Sequence, residues 1–126
     1  MKFNNKKGSA LVETAIILPV LLLIVIGICE FGRAMFISNT LNNAAREGAR
    51  RAAVSPAPLN INAFVESSIP FDKTGLSITT TPDTPVSGSG APITVEVKLP
   101  FHTVTGLIPQ LDGIELRGEA TMRYEL

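Results

Sequence analysis

The chain has one cysteine, one histidine, one tyrosine and no tryptophan among its 126 residues. One cysteine excludes an internal disulfide, and one cysteine with one histidine cannot supply the usual four-ligand zinc site. A hydrolase of the Ser-His-Asp or Cys-His type would have to be built on His102 alone. An excess of charge is also missing. Eleven basic residues balance eleven acidic ones, so no global basic field points to nucleic acid. The length suits one domain, with at most an appended segment. Apolar residues are plentiful, and they concentrate in the first 54 positions.

Residues 15–29 read AIILPVLLLIVIGIC, fifteen positions without a charge. Ala10, Leu11 and Val12 extend the run upstream, interrupted by Glu13 and Thr14. From Ala10 to Cys29 the stretch is 20 residues, and a helix needs about 20 to cross a hydrocarbon core of about 30 Å. The chain can therefore cross a bilayer once. Lys2, Lys6 and Lys7 precede the run with no acid among them. The positive-inside rule then predicts a cytoplasmic N-terminus and an extracytoplasmic chain beyond about residue 30.

Three readings of this segment compete. A secretory signal wants small residues at a cut just after the run, but Glu30-Phe31-Gly32-Arg33 follows, and a lipoprotein cut before Cys29 meets Ile28. A plain single-span anchor is the second reading. The third is a leader that is cut after Gly8, as in type IV pilins. Glu13 is the fifth residue after Gly8, and an acid inside an apolar span is costly, so it is a functional candidate wherever a partner can be named. A cut after Gly8 creates that partner, the α-amino group of Ser9, on the same subunit or a neighbouring one. Without the cut, Glu13 is an acid solvated at the membrane boundary.

Taken together, Gly8 with Glu13, Pro19 in the span, Glu30-Phe31-Gly32-Arg33 at its outer end and the Ala/Arg-rich stretch from Asn43 to Ala53 resemble the TadE-like family of pseudopilins. These are minor components of bacterial tight-adherence (Flp-type) pilus systems. The resemblance implies cleavage by a prepilin peptidase between Gly8 and Ser9. It also implies an inner-membrane location or entry into a pilus, assembly through Glu13 and Pro19, and partners among other pilin-like subunits and the assembly machinery. Two departures set the chain apart from the major subunit of such pili, which carries Tyr after the Glu and ends soon after its helix. Here Thr14 follows Glu13, and the chain runs to residue 126. Removing Lys2, Lys6 and Lys7 would leave 8 basic against 11 acidic side chains, a formal −3.

The helical pattern continues past the span. Phe31, Ala34, Ser38, Leu41, Ala45, Gly48 and Ala52 recur at steps of three and four, which puts them on one helix face. Its small residues permit close approach, either by this chain's own sheet or by another pilin-like helix. Pro19 should kink the span locally. Pro56 and Pro58 should end the helix near Val54. From Ala10 to Val54 a straight helix measures roughly 68 Å, which suits a stalk. Arg46, Arg50 and Arg51 form the only basic cluster, read as a solvated face near the helix C-terminus.

Eight of the nine prolines lie beyond Ser55. Residues 55–58 read as a linker, and Asn60 to Ser68 as a short helix capped by Asn60. Three strands are expected, at Leu76–Thr81, Ile93–Leu99 and Leu116–Leu126. The second alternates Ile93, Val95, Val97 and Leu99 against polar residues, and Ala120, Met122 and Tyr124 mark the inner face of the third. The first two would pair as a hairpin across the Pro/Gly/Ser-rich residues 81–92. Residues 100–113 read as irregular, with a turn of helix near 107–111. Three strands make a marginal core alone. The expected fold is therefore α+β: a long N-terminal transmembrane helix extended as a stalk, with a small antiparallel sheet packed on its distal half. The expected divisions are a leader at 1–8, a membrane segment at 9–29, a helix continuation at 30–54 and a β-rich domain at 55–126.

No catalytic constellation emerges. Cys29 reads as a small apolar packer and His102 as a structural or exposed loop residue. Asp72, Asp83, Asp112 and Glu115 lack calcium-loop spacing, and Gly88-Ser89-Gly90 lacks the context of a phosphate loop. No cofactor and no nucleic-acid partner are expected. The reading is a non-enzymatic pseudopilin. The alternative is an uncut single-span protein whose outer domain binds or regulates.

Overall fold

The computed structural model describes residues 5–54, 60–82 and 89–125. The leader residues 1–4, the linker at 55–58 and positions 83–88 of the long loop, with Asp83 and Gly88, lie outside them. Helix α1 (Asn5–Ala53) runs unbroken through Pro19 and ends one residue before Val54. Ala, Leu, Ile and Arg dominate it, and Arg50 and Arg51 occupy the last turn, where cations suit the helix dipole. It is long and apolar enough to cross a membrane, and none of its most apolar window is buried.

Helix α2 (Ile61–Ser67) begins where the Asn60 side chain accepts the Ala63 N–H at 3.1 Å, as expected. Strands β1 (Ser77–Thr81), β2 (Pro92–Phe101) and β3 (Ile114–Arg123) form one antiparallel sheet in the order β1-β2-β3. Ile78 pairs with Val97, and Val97 with Gly118. The expected hairpin and the expected alternation are both present. On β2, Ile93, Val95, Val97, Leu99 and Phe101 are all buried.

The sheet lays one face on the outer half of α1. Ile37, Leu41, Ala44, Ala45 and Ala49 meet Val95, Val97, Leu99 and Phe101, with Ile61, Val65 and Ile69 closing the side. Each fully buried Val or Leu contributes about 1.5–3 kcal/mol. Small residues on α1 let the sheet come close. At Gly118 a β-carbon would stand 2.4 Å from the Leu41 carbonyl carbon and 2.6 Å from the Asn42 nitrogen, so β3 touches the helix backbone there. The opposite sheet face is polar. Glu96 pairs with Lys98 at 2.8 Å and with Arg117 at 3.2 Å, and Thr94 bonds Thr121 at 2.8 Å. Lys98 first, against the opposing effect of burial, and then Arg117 hold the Glu96 carboxyl below its usual range.

The helix direction orients the sheet. Glu125 N–H donates to Ala53 O at the distal end. At the other end β2 finishes at Phe101, over whose ring Arg33 stacks at 4.6 Å. The connection between β2 and β3, residues 102–113, therefore hangs at the end of the domain nearest the apolar span. The turn of helix expected there is a 3-10 turn, Pro109–Leu111.

Candidate functional site

Gly8, Ser9 and Glu13 lie within α1 and are exposed. Ser9 and Glu13 are four residues apart, so they sit one above the other on one helix face. Lys6, Gly8, Ser9, Val12, Glu13 and Ile16 line one shallow surface there. Pro19 is exposed within the same bare segment. The Thr14 hydroxyl turns inward and donates to Ala10 O at 2.9 Å.

The face proposed for helix packing divides. Leu41, Ala45 and Gly48 are buried under the chain's own domain, and Ala34 and Ala52 are partly covered. At Gly48 a β-carbon would come within 2.4 Å of Val65 Cγ2. Phe31 departs from the set: it remains 62 % exposed, although its neighbour Glu30 is buried. Cys29 is likewise exposed, with a free thiol. Arg46, Arg50 and Arg51 are exposed as expected, with Arg51 stacked 4.4 Å from the Phe64 ring.

The densest polar arrangement lies where the span ends. Glu30 is the first residue beyond 10–29, and it is 4 % exposed, the one charged residue buried among the described residues. Its Oε1 accepts the Val104 N–H at 2.9 Å, the Thr105 N–H at 3.2 Å and the Thr105 hydroxyl at 3.2 Å. Its Oε2 faces Arg33 Nη2 at 3.5 Å. Arg33 in turn donates to the His102 carbonyl oxygen. Burial alone would raise the Glu30 carboxyl. The N–H donors of Thr105 and Val104, the Thr105 hydroxyl and the Arg33 charge outweigh it and hold the carboxyl below its ordinary value. Asp112 closes the neck of the same loop, accepting from Thr103 N–H at 3.2 Å, with His102 Nδ1 at 3.3 Å.

This latch escaped sequence reasoning. A lone acid directly after an apolar run, with Arg three residues on, was the available signal. Nothing in the pattern of residues 102–113 pointed to donors more than 70 positions away. No group of three or more His, Cys, Asp or Glu side chains that could hold a metal occurs among the described residues.

Residues 8–50 match the TadE-like protein family. The match agrees with the resemblance carried by Gly8, Glu13, Pro19 and Glu30 to Arg33. It covers 43 of the 126 residues and stops within α1. Glu30 and Arg33 lie inside the TadE-like segment, and the loop they hold lies outside it. The TadE-like match, with a helix long and apolar enough to cross a membrane, supports a pilus-related membrane protein. No curated protein and no solved structure matches the chain.

Proposed function

We propose that the chain is a minor pseudopilin, a structural subunit for assembly of a tight-adherence pilus. A prepilin peptidase cuts between Gly8 and Ser9. The span then holds the mature chain in the bacterial inner membrane, its cut N-terminus at the cytoplasmic face and its sheet domain outside the cytoplasm. Assembly brings the new Ser9 amine of one subunit to Glu13 of another, and Pro19 shapes the helix between them. Partners are the peptidase, other pilin-like subunits and the assembly machinery.

The observation that carries this reading is Glu13, a carboxylate on a bare apolar helix that its own domain leaves uncovered. An acid there is costly in lipid unless a cation meets it, and a cut after Gly8 supplies one at the right height. The test is the intact mass from native membranes, with and without the cell's prepilin peptidase. Loss of residues 1–8 only when the peptidase is present is expected. A full-length mass in both samples overturns the proposal and leaves the uncut anchor.

A further inference from the structure

The loop between β2 and β3 is unusual in what it exposes. Residues 103–111 (TVTGLIPQL) carry no charge. Val104 is 76 % and Leu107 54 % exposed, although both belong to a folded domain. The loop also reaches down the helix. A β-carbon on Gly27 would stand 4.0 Å from Ile108 Cδ1. Within 10–29, Ile26 and Gly27 alone are half-buried, and the rest are exposed. The loop therefore lies against one side of the last turn of the apolar span.

Its height can be estimated. Gly27 lies about 26 Å along the axis from Ala10, within a hydrocarbon core of about 30 Å. Starting the core higher on the helix sets the loop deeper still. A loop at this depth needs its backbone donors satisfied inside the protein. Glu30 takes two of them, from Val104 and Thr105, together with the Thr105 hydroxyl, and Leu111 N–H donates to Ile108 O at 3.0 Å. The same bonds hide the Glu30 charge, which Arg33 offsets. Thus Val104 and Thr105 turn their backbone donors toward the helix, Ile108 packs on it, and the side chains of Val104 and Leu107 remain exposed beside the surface of the span.

We propose that residues 104–108 enter the headgroup–acyl boundary of the leaflet from which α1 emerges, so that the sheet domain rests on the bilayer. The occupant of this apolar surface is lipid. Glu30 and Arg33 are the positioning residues that hold the loop at that depth.

The test uses the full chain in vesicles of phosphatidylethanolamine and phosphatidylglycerol. Cys29→Ala supplies a background, into which single cysteines are placed at Val104, Leu107, Ile28 and Thr79 and labelled with a polarity-sensitive fluorophore. Spin-labelled lipid is the quencher. Labels at 104 and 107 are expected to shift to the blue and to be quenched as strongly as the label at 28, while the label at 79 stays unquenched. Adding Glu30→Ala should reduce quenching at 104 and leave it unchanged at 28. If labels at 104 and 107 behave like the one at 79 while 28 is quenched, the loop proposal is overturned and the span stands. Protection at 104 that grows with protein concentration in lipid-free detergent overturns it in favour of a second copy. Absence of quenching at 28 overturns the membrane reading itself.

Discussion

Glu30 accepts the backbone N–H of Val104 at 2.9 Å, joining two residues 74 positions apart. This contact ties the foot of the sheet domain to the helix at the point where its apolar run ends. It also sets how rigidly the domain stands on its stalk. A helix and a sheet that met only through Leu41 and Gly118 could rock about that contact. The Glu30 contact, one end of the domain away from the Glu125–Ala53 bond, restrains that rocking.

Removing the carboxylate should therefore release the loop before it harms the core. Glu30→Ala leaves the N–H groups of Val104 and Thr105 without their acceptor and the Arg33 guanidinium without its counter-charge. Amide exchange at 104 and 105 should accelerate by roughly tenfold or more, since bonds to charged acceptors are among the stronger ones. The amides of Val95 and Val97, in the central strand, should keep their protection. Hydrogen-exchange NMR on the full chain in detergent separates the two. Equal loss in both places would mean that the latch holds the whole domain.

The same carboxylate sets a pH dependence. Its folded pKa lies below the ordinary value of a glutamate carboxyl. A group lowered on folding contributes stability that is fully present above the unfolded pKa, and that contribution is lost as pH falls through the folded pKa. The loop should thus remain latched at neutral and mildly acidic pH and open only in stronger acid. The amide shifts of Val104 and Thr105, followed on acidification, should show a midpoint below that ordinary value. A midpoint above that value would mean that burial outweighs the donors.

Two glycines on the helix–sheet system should respond in opposite directions to alanine. At Gly118 the added carbon would lie 2.4 Å from Leu41 C and 2.5 Å from Leu41 O, backbone atoms that cannot turn aside. Gly118→Ala should cost about 1–3 kcal/mol by forcing β3 off the helix. At Gly32, inside α1, nothing lies within 4 Å of the added carbon. Gly32→Ala should stabilise by about 0.5–1 kcal/mol through helix propensity. Urea unfolding in detergent, followed by emission of Tyr124, the only tyrosine, gives both values.

The contrast between Gly118 and Val97 also shows why some of the fold was legible and some was not. Val97 belongs to an alternation that repeats over five buried positions of β2, so the strand and its buried face follow from period two. Asn60 announced α2 by a cap that acts over three residues. These are local signals. Gly118 matters only because Leu41 is against it, and Glu30 because Val104 is, and such long-range pairings leave no periodic trace. The small-residue face of α1 was read at Ala45, Gly48 and Ala52. Ala44, Ala49 and Ala53 widen it, since a sheet covers more of a helix than one helix would. Phe31 shares the spacing but stays exposed beside the buried Glu30.

Glu13 separates a subunit from an anchor. Its carboxylate is exposed on an apolar surface, four residues from Ser9. If assembly pairs it with the amine of a cut neighbour, Glu13→Gln should leave membrane insertion and the cut after Gly8 unchanged, because neither needs the charge. Co-purification with pilin-like subunits should fall severely, since losing one member of a desolvated pair leaves the other uncompensated. Glu13→Asp should restore part of it, because the charge remains while its reach shortens. Quantitative mass spectrometry of affinity-purified membranes reads the partners, and the intact mass reads the cut. A Gln variant that retains its partners at wild-type levels would assign Glu13 to the headgroup boundary and transfer the burden of assembly to the exposed face at Ile28, Phe31 and Met35.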